Sequence, residues 1–138
     1  MAGETNLEVL LQHMEPVLNE GEFVFCTANT RHEIASKDII GSFQEQEGTT
    51  LILEKGKADT YGLAYEYIAA WITLNIHSAL DAIGLTAAFS NALAAAGISC
   101  NVVAGYYHDH IFVAKTDAQM AIEVLKKLSL DADGAQST

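Results

Sequence analysis

The feature that most constrains this chain is a run of 26 residues, 82–107, without a charged side chain. Such a run is either a bilayer span or the buried part of a folded domain. A span needs about 20 consecutive, mostly apolar residues. Here Thr86, Ser90, Asn91, Ser99 and Asn101 interrupt the run, and its hydrophobic period changes at Gly97. Before Gly97, the residues Leu85, Ala88, Phe89, Ala92, Leu93 and Ala96 recur with helical spacing. After it, Ile98, Val102 and Val103 suit a strand. The run therefore reads as a buried helix over 81–96, stopped by Gly97, and a buried strand over 98–106. Both must be covered by other elements, which calls for a layered core.

The remaining elements follow from local signals. Thr5-Asn6-Leu7-Glu8 has the form of a capping box for a helix over 5–14, and Pro16, the only proline, closes it. Residues 22–28 are aromatic and β-branched, hence a strand. Residues 39–46 and 49–53 flank Glu47-Gly48 as a hairpin. A short helix over 55–61 stops at Gly62, and 67–76 reads as a long strand. Residues 111–114 form another strand, joined to 98–106 by Tyr107-His108-Asp109-His110. A last helix starts at Thr116 or Asp117, with Ala118, Ala121, Ile122 and Leu125 facing inward, and 131–138 reads as a polar tail. The second half is β-α-β-β-α and the first α-β-β-β-α, so the expected fold class is α+β, helices on one face of antiparallel sheets.

Composition limits what such a domain can do. The 18 acidic and 7 basic residues leave a formal charge of −11. That balance offers no basic footprint to nucleic acid and none to anionic lipid. The first residues carry no basic segment followed by an apolar core, so a cytoplasmic location is expected. Cys26 and Cys100, in apolar strands, fit buried thiols in a reducing compartment. No Gly-x-Ser-x-Gly elbow, phosphate-binding glycine loop or dinucleotide fingerprint occurs. The expectation is a protein without catalytic residues, resident metal or cofactor.

The candidate binding site is the turn between the 67–76 strand and the next helix. It runs through Asn75, His77, Ser78, Asp81, Ile83, Gly84 and Leu85. Unpaired N–H groups at a helix start favour an anion such as an α-carboxylate. Gly84 lets a ligand approach the backbone, and Asp81 suits an ammonium. Ser78 or Asp81 serves equally as an ordinary helix cap. In the first half, Ser42 and Glu45 carry unusual polarity for a hairpin. Glu45 is placed to meet a cationic ligand group in a crevice between the halves, or else to form a solvated acidic edge. His77, His108 and His110 suggest a metal-dependent enzyme as a further alternative, although an Asp-containing turn accounts for the 107–110 segment.

The stretch 71–99 resembles the ACT-domain superfamily. Its Asp81-Ala82-Ile83-Gly84-Leu85 turn leads into a helix ending in Gly97-Ile98-Ser99, and the similarity runs on through Cys100-Asn101-Val102-Val103 and His110-Ile111-Phe112-Val113. Ile40-Gly41-Ser42-Phe43 and Thr50-Leu51-Ile52-Leu53 extend it to the first half. It is closest to small stand-alone tandem-ACT proteins. The resemblance implies two ferredoxin-like modules, at 1–64 (with an incomplete strand order) and 65–130. It further implies an amino-acid ligand, a regulatory role and a homodimer, with Asn101 and Val102 on the edge that faces the turn across the dimer. A purely structural dimerisation module is the alternative.

Overall fold

A computed structural model describes residues 6–29, 33–76 and 82–136. Helix α1 (Leu7–His13) is capped by Asn6, whose side-chain oxygen accepts from the Val9 N–H at 3.2 Å. Asn6 thus holds the cap position expected of Thr5, which lies outside the described residues. Pro16 does not merely close this helix. It is the first residue of strand β1 (Pro16–Ala28), a place where a missing N–H is tolerated. There follow β2 (Gly41–Gln44), β3 (Thr49–Glu54), α2 (Lys55–Tyr61), β4 (Ile68–Leu74), α3 (Leu85–Ala95), β5 (Asn101–Ala104), β6 (Asp109–Ala114) and α4 (Ala118–Gln136). Helix α4 runs through 131–136, where a polar tail was expected. The order β1-β2-β3-α2 repeats as β4-α3-β5-β6-α4. A 3-10 turn at Ser36–Asp38 stands where the first repeat's leading helix would be. No helix among the described residues is long and apolar enough to cross a membrane.

The chain forms two compact units that are not linear halves: residues 20–70, and 6–19 together with those from 71 on. In the first, the strand order is β2-β3-β1. Antiparallel pairs Val24↔Leu53 and Cys26↔Leu51 put four buried side chains on one face, joined by Ala58 and Leu63. Gly62 ends α2 with φ 71°, and the Leu63 N–H reaches back to the Ala58 carbonyl at 2.9 Å.

In the second unit the order is β1-β4-β6-β5, with β5 at the edge. Alternation sends Ile72, Leu74, Ile111 and Val113 to one face, all fully buried. Helices α1, α3 and α4 pack together, and α4 lies on β6. Their buried side chains include Leu10, Phe89, Leu93 and Leu125. The opposite face carries Asn19, Trp71, Thr73, His110 and Phe112. Trp71 Nε1 donates to His110 Nδ1 at 3.0 Å, and the Asn19 amide donates to Thr73 Oγ1 at 2.9 Å and to the Trp71 carbonyl at 3.2 Å. The Trp71 and Phe112 rings stack at 6.1 Å.

Candidate functional site

The β4–α3 turn is built from both of its ends. The Asn75 N–H donates to the Glu15 carbonyl at 2.7 Å, fixing the end of β4. The His108 ring approaches the Ile76 carbonyl at 3.3 Å, so the β5–β6 hairpin turn sits beside the start of the crossover. At the far end Gly84 takes φ +98° as the N-cap of α3 and offers no side-chain cap. The first intrahelical bond is Ala88 N–H to the Gly84 carbonyl, at 2.9 Å. The earlier N–H groups are those a helix leaves for a side chain, water or an anion. A Cβ on Gly84 would lie 3.1 Å from Leu7 Cδ2, so this glycine also permits the close approach of α1.

The expected site residues are distributed unevenly around this turn. Asn75 is exposed at the strand end and Ile83 is 86% exposed at the helix start. The Leu85 side chain is in the core. His77, Ser78 and Asp81 lie outside the described residues. Asn101 pairs with Phe112 at the open end of the β5–β6 hairpin and Val102 pairs with Ile111, whereas the turn beside Ile76 is at its closed end. Within one chain, Asn101 and Ile76 are therefore kept apart.

One residue escaped the sequence reading. Asp109, assigned there to a turn, is the first residue of β6 and only 7% exposed. Its carboxyl lies within electrostatic reach of His110 and His108. Burial holds its pKa above the ordinary carboxylate value, against the pull of His110 and His108. The alternation Asp109, Ile111, Val113 was the available signal, since the latter two plainly face the core. His110 is held below the ordinary histidine value, chiefly by burial, then by His108, with Asp109 opposing. Its Nδ1 accepts from Trp71 and lies 3.1 Å from Thr73 Oγ1. No group of three or more metal-ligating side chains occurs among the described residues. The Cys26 thiol is pushed up by burial and then by Asp59, and the Cys100 thiol by burial, with Ser90 opposing.

A second feature lies wholly within residues 28–51. An open cleft of about 610 Å³ has a floor of Ala28, Ile34, Ile39 and Leu51 and a rim from the β2–β3 hairpin carrying Glu45 and Glu47. The Glu45 carboxylate accepts the Thr50 hydroxyl. Ser42 is exposed on β2, opposite Leu51.

Comparison with known proteins places this arrangement. A profile of the ACT domain matches residues 2–70 and a second ACT-domain profile matches 66–127. No curated protein matches the sequence. Among solved structures, a Vibrio cholerae protein of unknown function, described as a possible transport protein, is 49% identical with TM-score 0.77, over 89% of this chain and 95% of its own. An Agrobacterium tumefaciens protein shares the fold at 13% identity and TM-score 0.69, over 85% of this chain and 90% of its own. The aspartate kinase of Clostridium acetobutylicum does so at 12% and 0.59, over 82% of this chain and 34% of its own. With both halves matched, the chain belongs to the ACT-domain family, as two ACT domains in tandem.

Proposed function

We propose that this protein is a non-catalytic cytoplasmic sensor that binds an amino acid at the β4–α3 turn and works as a homodimer. ACT domains are small-molecule-binding regulatory modules, and two of them stand in tandem here. The observation that supports the reading is the start of α3 at Gly84, which has no side chain to cap it, in the same unit as the buried Asp109. The ligand carboxylate would take the N–H groups that open α3. Its ammonium would take Asp109, with Asp81 as the residue named from sequence. An E. coli aspartokinase solved with aspartate and ADP has the same fold at 10% identity and TM-score 0.58, which supports the class without fixing the ligand. In the homodimer, the β5 edge of one copy would bring Asn101 and Val102 to the other copy's turn. Binding would act by favouring one conformation through its differential affinity.

The test is a thermal-shift scan against all twenty amino acids, with Asp81→Ala, Gly84→Val and Asp109→Asn alongside. A ligand at about 100 times its Kd stabilises by roughly 2.7 kcal/mol, several degrees in a chain of this size. One amino acid should shift the wild type and fail with the variants. No shift across the panel, from a protein that is still a dimer by sedimentation, would leave the structural dimerisation module in its place.

A further inference from the structure

We propose that the amino acid bound at the β4–α3 turn carries an aromatic side chain, received by Tyr106 and Tyr107 at the tip of the β5–β6 hairpin. This rests on the amino-acid function proposed above and narrows it to one ligand class. The internal repeat supplies the comparison. In the first ACT domain the pair Gln44↔Thr49 leads into a turn where the Glu45 N–H donates to the Gly48 carbonyl at 3.0 Å. In the second, Ala104↔Asp109 leads into a turn where the Gly105 N–H donates to the His108 carbonyl at 2.9 Å. The two turns are equivalent, yet one presents Gln46 and Glu47 and the other Tyr106 and Tyr107. Hairpin turns favour small and polar residues, so nothing in the turn itself calls for two aromatic rings. Both tyrosines are 70% exposed, and their rings meet edge to face with centroids 4.9 Å apart.

The tip stands where the side chain of a bound amino acid would emerge. His108, the residue after Tyr107, lies 3.3 Å from the Ile76 carbonyl, which puts the hairpin turn at the head of the crossover. At the crossover's other end, Ile83 is exposed beside Gly84. The groups assigned to the ligand's charged ends lie deeper. Asp109 is buried, and α3 opens on Leu85, whose side chain is in the core. A ligand anchored at that depth by its carboxylate and ammonium turns its side chain outward, toward exposed apolar groups. There a large apolar side chain gains buried area. A ring gains aromatic contact as well, which adds roughly 2–10-fold in affinity. A small or charged side chain gains neither.

NMR-detected titrations of the full chain with phenylalanine, tryptophan, leucine, alanine, aspartate and lysine test this. Phenylalanine or tryptophan should bind at least tenfold more tightly than alanine, aspartate or lysine, with leucine between. Tyr106→Ser with Tyr107→Ser should weaken phenylalanine at least tenfold and alanine less than twofold. Tyr106→Phe with Tyr107→Phe should keep the wild-type order, because the rings and not the hydroxyls are required. Circular-dichroism spectra should match throughout, since both side chains are exposed. Absence of binding by all twenty amino acids would remove the amino-acid function, and this proposal with it. Tightest binding of a charged, small or aliphatic amino acid would overturn the proposal and leave that function standing. So would an equal loss for phenylalanine and alanine in the serine variant. Unchanged affinities in that variant with altered sedimentation would also overturn it, making the tip a subunit contact.

Discussion

Replacing Gly84 by alanine sets two physical expectations against each other. Helix propensity alone favours alanine over glycine by about 1 kcal/mol, so a reading of α3 as a simple helix predicts a more stable protein. The structure predicts the opposite sign. Gly84 has φ +98°, and an L-residue in that region costs roughly 1–2 kcal/mol. The new Cβ would also lie 3.1 Å from Leu7 Cδ2. That methyl terminates a flexible side chain and can yield, so it adds at most about 1 kcal/mol. Reduced freedom of the unfolded chain returns about 0.4–1 kcal/mol. The net is a loss of about 1–2 kcal/mol, a drop in Tm of roughly 4–8 °C for a chain of this length. Urea denaturation of wild type, Leu7→Ala, Gly84→Ala and the double variant measures it. Removing Leu7 should relieve the contact but leave the backbone strain, so the double variant should be less destabilised than the sum of the singles. A neutral or stabilising Gly84→Ala, or strictly additive singles, would refute the geometry assigned to this turn.

Other perturbations test the packing and the charges. Leu10→Ala should cost about 2–5 kcal/mol, because Leu10 is fully buried. Hydrogen exchange should show the lost protection in β6 and α4, the unit to which α1 belongs, more than in β2 and β3. For His110 the folded-state pKa is depressed below 6.5, so its contribution to stability is present above 6.5 and is lost as pH falls through the folded value. Protonation removes the acceptor for the Trp71 indole, and Trp71 is the only tryptophan. Its fluorescence should therefore titrate with a midpoint below 6.5 and cease to do so in His110→Gln. Asp109 has the opposite sense. With its folded pKa raised, its contribution is present below 3.8 and lost as pH rises through the folded value. Asp109→Asn should therefore raise the stability of the free protein at pH 7, an advantage that urea melts below pH 3.8 should no longer show.

Strong local periodicity made much of this fold legible. The α3 stripe, the Gly62 and Gly97 stops and the β2–β3 hairpin all have signals contained within a few residues. What the sequence concealed depends on long-range partners. Residues 16–21 lack an alternating pattern, yet they are strand because β1 lies beside β4 in the sheet, where the Asn19 amide bonds to the Trp71 carbonyl. The union of α1 with the second repeat is likewise a tertiary event, written in Leu10 and in the Leu7–Gly84 approach rather than in any local motif. Among the candidate site residues, Gly84 and Glu45 were legible as a glycine at a helix start and a carboxylate beside a hairpin turn. Asp109 was hidden because a turn-forming residue between two histidines suggests solvent, whereas the strand register turns it inward.

The most direct test of the central claim is a ¹⁵N–¹H correlation spectrum of the full chain, titrated with each amino acid. The account predicts saturable shifts for one amino acid, concentrated in residues 75–85 and at His108 and Asp109, and absent in Asp109→Asn. No saturable shifts with any amino acid, or shifts that leave the β4–α3 turn untouched, would contradict it.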